Sequence, residues 1–215
     1  MIVEHISFDN YDQEDWELFP VSVALPSPAP KLYTVDVPGS SKQLDFSEAL
    51  NGQLQYENRT VTMVLQCFAA EDDRPNMEVE CKNALQGRKR KIQLDADPDY
   101  YYWGRLSVDW ATEPAIDTVT ITADCDPYKY RVNPTVREFD VSGSEGLDII
   151  LQNDRMPTVP TVTTDAEITV EFGESTIVFA SGTRKAPDLL LLEGANHMTL
   201  TGTGHIKFEY QEGAL

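Results

Sequence analysis

Few residues in this 215-residue chain stand in patterns that could do chemistry. His197 and His205 are the histidine pair to test first as metal ligands. Gly202-Thr203-Gly204 between them reads as a hairpin tip, which would set His197 opposite Phe208 or Glu209. His205 would then stand three or four residues along the partner strand. At strand rise that is about 10–13 Å, too far for two imidazoles to share a metal. Two separate, exposed or half-buried imidazoles are expected. Asp95-Ala96-Asp97-Pro98-Asp99 has the spacing that opens a calcium loop, but Tyr100 stands where an EF-hand needs glycine and Leu106 where it needs glutamate. A turn between two strands accounts for these aspartates. Gly143-Ser144-Glu145-Gly146 lacks the spacing of a nucleophile elbow. The sequence holds no phosphate-binding loop, no His-Glu-x-x-His and no Cys-x-x-Cys. With 36 acidic residues, carboxylate pairs arise by chance and do not argue for glycosidase chemistry. The expectation is a chain with no catalytic, cofactor-binding or metal-binding residues, and not an enzyme.

Cys67, Cys81 and Cys125 are an odd count without paired spacing, so they are expected as reduced, small apolar core residues. Met1-Ile2-Val3-Glu4-His5 lacks the basic start and apolar stretch of a signal peptide, so a chain made and kept in a cytoplasm is expected. The Asn58-Arg59-Thr60 sequon is then incidental. No run approaches the ~20 apolar residues of a membrane helix, so membrane insertion is not expected. A net charge of −19 repels nucleic acid and argues against sequence-specific DNA or RNA binding.

The elements that must carry these residues are mostly strands. Thr60 to Cys67 alternates Val61, Met63, Leu65 and Cys67 onto one face, and Thr118 to Cys125 repeats the pattern. Leu32 to Val37, Lys91 to Leu94 and Tyr101 to Val108 are rich in aromatic and branched residues, which favour strands. One helix is expected over about 75–86, with an Asp73 cap, Pro75 at its first position and Gly87 as its stop. Met77, Cys81, Ala84 and Leu85 form its buried stripe. Arg88-Lys89-Arg90-Lys91 follows directly, the one dense basic cluster in an acidic chain. It reads either as a solvated helix end that complements the dipole, or as a patch that meets an acidic surface on a neighbouring subunit.

A boundary is expected near Tyr130 to Arg137, where Asn133-Pro134 breaks regular structure and Ser142 to Gly146 is polar and glycine-containing. Beyond it, strands are expected at Leu147 to Leu151, Glu167 to Phe172, Thr176 to Phe179, Leu189 to Leu192, His197 to Thr201 and His205 to Tyr210. That rhythm argues for a small antiparallel sandwich. The fold class is therefore mainly β: an N-terminal β-sandwich-type domain with one helix, residues 1–132, and a C-terminal antiparallel β-sandwich, residues 136–215.

Several segments, in order, resemble the phage distal tail (Dit) protein family. Val37-Pro38-Gly39 through Leu44-Asp45-Phe46 to Asn51-Gly52 is similar to the family's proline–glycine turn and the segment after it. Tyr56-Glu57-Asn58-Arg59 resembles its aromatic–x–x–arginine lead into a core strand. Asp97-Pro98-Asp99-Tyr100-Tyr101-Tyr102-Trp103-Gly104 resembles its aspartate–aromatic–glycine strand, and Asp126-Pro127-Tyr128-Lys129-Tyr130 its close of the first domain. Gly194-Ala195-Asn196-His197 and Gly202-Thr203-Gly204-His205 to Tyr210 look like the closing hairpin of its second domain.

The resemblance implies a structural protein of a phage or prophage tail tip, in which six copies form a hub ring around a DNA-permissive channel. It implies a galectin-like second domain and a belt-like extension of the first, here about residues 36–58. The implied partners are further copies of the chain, the tail tube protein, the tape-measure protein and a tail-tip, fibre or tail-associated lysin protein, with the virion as location. Candidate subunit-interface residues are Arg88, Lys89, Arg90 and Lys91, with Pro38, Gly39, Asn51 and Gly52 at the extension's turns. Competing classes are another tail component, such as a tube subunit or fibre adaptor, and a carbohydrate-binding module.

Overall fold

The computed structural model describes residues 3–49 and 52–215. The chain is mainly β with one α-helix among the described residues, and it divides into compact units of residues 1–129 and 130–215. The first unit runs β1 (Ile6–Phe8), β2 (Tyr11–Asp12), a 3-10 turn (Gln13–Trp16), β3 (Leu18–Ala24), β4 (Thr34–Asp36), β5 (Gln43–Asp45) and β6 (Arg59–Cys67). Then come α1 (Arg74–Leu85), β7 (Lys89–Leu94), β8 (Tyr100–Ala111) and β9 (Asp117–Cys125). A short β10 (Lys129–Arg131) stands at the junction.

The order in the first sheet is β2-β1-β7-β8-β9-β6-β3, while β4 and β5 form a separate two-stranded hairpin. Alternation makes the central strands: Val61, Met63, Leu65 and Cys67 of β6 are buried, as are Val119, Ile121, Ala123 and Cys125 of β9. β6 and β9 pair antiparallel from Arg59↔Cys125 to Cys67↔Asp117. A slip of one residue would turn their threonines into the core. The helix begins one residue before the expected start, and its last turn runs into Gly87 at φ +71°. Asp73 holds the N-cap position without a side-chain cap bond. Cys81, Ala84 and Leu85 bury the expected stripe, with Met77 packed at its edge.

The three thiols are buried and unpaired. Loss of solvation pushes Cys81 and Cys125 each up to about 12, so they behave as apolar side chains at neutral pH.

The second unit runs β11 (Thr135–Asn153), β12 (Thr161–Thr164), β13 (Ile168–Phe172), β14 (Ser175–Phe179), β15 (Gly182–Lys185), β16 (Gly194–Tyr210) and β17 (Gly213–Ala214). Its sheet has the order β14-β13-β16-β12-β15, with β11 paired along β16. The expected hairpin at Gly202 to Gly204 is corrected here: these residues lie inside the one strand β16. Likewise Ser142 to Gly146 lies within β11, and its register shifts between Gly143 and Leu147.

The glycines bend a strand pair where turns were expected. Gly143, Gly146, Gly202 and Gly204 all have positive φ. A Cβ on Gly202 would stand 2.8 Å from the Glu167 carbonyl oxygen, so only glycine admits that approach. On one side of the bend β16 pairs with β13, and on the other with β12. Side chains from both halves, Leu200 and Ile168 with Phe208 and Val162, close one core. The sheet thus curls upon itself. Leu189 to Leu192, expected as a strand, instead makes an isolated bridge from Leu191 to Thr158.

Gly104 shows how tightly the first core closes. A Cβ there would meet Cys125 Sγ at 2.5 Å and the Asp124 carbonyl oxygen at 2.9 Å. Gly104→Ala is expected to cost about 1–3 kcal/mol of stability by overpacking. Calorimetry checks this, and adding Cys125→Ala should recover only part, since the backbone clash remains.

Candidate functional site

Three segments distant in sequence meet at one end of the first sheet. Arg59 opens β6 and is only 5% exposed. Its Nε donates to the Pro127 carbonyl at 2.9 Å, its Nη2 donates to the same oxygen, and its guanidinium lies 5.3 Å from the Tyr102 ring centroid. Tyr56 meets Tyr128 edge-on at 5.9 Å. Lys129 Nζ donates to Asp97 Oδ2 at 2.7 Å and lies 4.4 Å from the Tyr100 ring centroid. Burial lowers the pKa of Arg59 and raises that of Tyr102, with each group's electrostatic effect on the other opposing its shift.

The basic cluster is divided by strand geometry. Alternation along β7 sends Lys89 and Lys91 to one face and Arg90 to the other. Arg90 turns inward: Nη2 donates to the Ala84 carbonyl at the helix end (3.0 Å), and Nη1 lies 3.4 Å from Asp9 Oδ2. Its guanidinium sits 5.2 Å from the Tyr11 ring centroid. Arg88 Nε donates to the Asn83 carbonyl, and Lys91 Nζ lies 4.7 Å from the Tyr101 ring centroid. Lys89 is exposed, opposite Arg105.

Pro38 and Gly39 form the tip of the β4–β5 hairpin. Ser40 N–H donates to the Val37 carbonyl at 3.0 Å, and Gly39 takes φ +79°, the requirement that places glycine third in this turn. Gly52, at φ +69°, donates its N–H to the Glu48 carbonyl. Asn51 lies outside the described residues. Both Pro38–Gly39 and Gly52 are exposed.

One surface was not anticipated from the sequence. β3 is an end strand of the sheet, bulged between Pro20 and Ser22, and it exposes Phe19 (51%) and Val21 (58%). Phe19 packs edge-on against exposed Phe68 at 5.2 Å. Beside it runs an open groove of about 670 Å³ with Val21 and Val23 in its lining and Glu4, Glu14 and Asp95 among its polar groups. Exposed phenylalanine and valine in an otherwise amphipathic β pattern were the available signal.

With this geometry in hand, similarity to known proteins becomes informative. No protein-family model matches the sequence, and no curated protein does. Among solved structures, the chain is similar over 100% of its length to the whole Dit protein (gp 19.1) of phage SPP1, at a TM-score of 0.68 and 16% identity. That protein is described as a paradigm of the hub adsorption apparatus in phages infecting Gram-positive hosts. The chain has the Dit fold. It is also similar, at a TM-score of 0.53 and 8% identity, to a chain of the phage p2 baseplate in its activated conformation, with strontium and again with calcium. Each match covers 100% of this chain and 99% of the other.

In this Dit fold, the motifs that carry the sequence resemblance are largely the ones that meet around Arg59. The histidines are not brought to one site: they stand eight residues apart on β16, on either side of its glycine bend, with different partners. His205 faces Asp140 across the ladder, with Nδ1 and Oδ1 2.9 Å apart, and that hydrogen bond raises its pKa. His197 lines an open groove with Asp148 and Glu171. Asp95 to Asp99 form the turn between β7 and β8, where Asp95 accepts the Glu4 N–H.

Three variants test these assignments. Arg59→Met should cost about 2–3 kcal/mol, because the Pro127 carbonyl loses a charged donor in a buried setting. Arg90→Gln should cost about 1–2 kcal/mol through the Ala84 and Asp9 contacts, whereas Arg88→Gln with Lys89→Gln should stay within about 0.5 kcal/mol. Urea titrations of the three variants check both.

Proposed function

We propose that the chain is a structural component of a phage or prophage tail tip: a hub protein of which six copies close a ring between the tail tube and the tip apparatus. The observation that carries this reading is the fold shared with the SPP1 Dit protein over the full length of both chains. The ordered sequence motifs support it independently of the fold.

The physical chemistry suits a ring around a channel. A chain of net charge −19 repels DNA and lets it pass without sticking. Identical acidic subunits also repel one another, so ring closure needs contacts that offset this. The segment 36–58, with turns at Pro38-Gly39 and at Gly52, would supply a heterologous contact that repeats by rotation. Arg88, Lys89 and Lys91 would add salt-dependent contacts to an acidic neighbour, and Arg90 would hold the strand that presents them. In this reading residues 1–132 form the ring and residues 136–215 serve as the outer domain. The tube protein, the tape-measure protein and a fibre or tail-associated lysin protein are its partners.

Light scattering at high protein concentration, followed by negative-stain imaging, tests the proposal. The expected result is a closed ring with six-fold symmetry, alone or on addition of the cognate tube protein. A strict monomer under both conditions would overturn it. Ring formation should strengthen in the parent relative to an Arg88→Gln, Lys89→Gln variant as ionic strength falls.

A further inference from the structure

The groove beside β3 sets exposed apolar side chains among carboxylates. Phe19 and Val21 are more than half exposed, and Val23 and the buried Val3 line the groove with them. Glu4, Glu14 and Asp95 stand in the same lining, with no lysine or arginine among its described residues. Phe68, packed edge-on against Phe19, leads into Glu71, Asp72 and Asp73, which are all exposed. The two rings are held side by side by the backbone, since the Phe68 N–H donates to the Glu17 carbonyl at 3.0 Å. Glu17 carries that carbonyl at φ +50°, a left-handed conformation that glutamate seldom adopts.

A further strand cannot simply extend the sheet at this edge. Pro20 offers no N–H, and the bulge between Pro20 and Ser22 interrupts the ladder. Recognition there falls to side chains. An apolar side chain laid against Phe19 and Val21 would leave water together with them. Basic groups beside it would meet three carboxylates that face no cation within the lining. The chain's own exposed apolar residues are unsuited to the place. The β4–β5 face comes with Asp36, Asp45 and Glu48 against Lys42, and Val79 on α1 stands between Glu78 and Glu80. Either would bring like charge to an acidic rim.

We infer that this groove docks a segment of a different polypeptide, one that presents an apolar side chain flanked by lysine or arginine. The apolar side chain seats on Phe19 and Val21, and the flanking cations pair with Glu4 and Glu14. The site takes such a segment whether or not the chain closes a ring, because its own residues define it.

Fluorescence anisotropy with short synthetic peptides tests it. A peptide alternating lysine with phenylalanine and valine should bind, and its affinity should fall as salt rises. A counterpart with alanine at the apolar places should bind about tenfold more weakly. One with glutamate for lysine should not bind. Phe19→Ser with Val21→Ser should weaken the first peptide about tenfold, while Glu4→Gln with Glu14→Gln should remove most of the salt dependence. Val79→Ser, at an exposed apolar position on α1, should change nothing. If the serine variant melts lower than the parent, Val21→Arg replaces it, since an added cation repels the peptide. Val21→Cys gives the place: the three native cysteines are buried, so a maleimide reads this thiol alone, and the peptide should protect it. Binding that is equal in these groove variants, or that leaves the thiol open, is adsorption to an acidic surface and overturns the site. Failure of every peptide overturns it too. Protection of the thiol in the concentrated protein alone overturns the choice of occupant, a second copy then covering the groove. None of these outcomes decides the hub reading, which is tested by mass and symmetry.

Discussion

Arg59 removes a guanidinium from water at the point where the first sheet is registered, and most of that unit's order is set around it. Taking this charge out of solvent is costly, and what offsets the cost is a carbonyl from the segment after β9 and the face of an aromatic ring from β8. The arginine can be satisfied only when three strands are aligned. Cys125 stands across from Arg59 on one side and from Gly104 on the other, and the missing side chain at Gly104 leaves room for its sulfur. One charge, one glycine and one thiol thereby fix β6, β9 and β8 together. Tyr56–Tyr128 and Lys129–Asp97 then tie down the chain where it leaves the unit.

That convergence explains why short motifs scattered over 75 residues of sequence could point to a fold. Tyr56-x-x-Arg59, the aromatic run before Gly104, and Asp-Pro-Tyr-Lys-Tyr look unrelated as written, yet each contributes to one cluster. The strong alternation of β6 and β9 and the bounds of α1 were legible because the reasons for them are local. β3 was not, since Pro20 sits in it and a bulge interrupts its pattern. β12 and β15, short and rich in threonine or charge, carry no apolar rhythm of their own, and they form because β16 and β12 offer edges. The glycines of β11 and β16 misled for a related reason: positive φ serves a bend as well as it serves a turn, and only the close approach of Glu167 tells which.

At the candidate interface, residue types were legible and their partition was not. Four consecutive basic residues read as one patch, but a strand divides neighbours between faces, and Arg90 is held at the helix end. The tip at Pro38-Gly39 was readable from turn chemistry alone. That its ribbon exposes Val35 and Leu44, and that the β3 edge exposes Phe19 and Val21, depends on what the other described residues leave uncovered.

The long ladder of the second unit has one more property. β11 and β16 pair from Thr135↔Tyr210 to Asn153↔Gly194, so the first strand of this unit and its last long strand begin and end side by side. These two strands thus close on one another like the neck of a loop, and β12 to β15 are strung between them. A longer or shorter excursion between Asn153 and Gly194 would leave that neck paired.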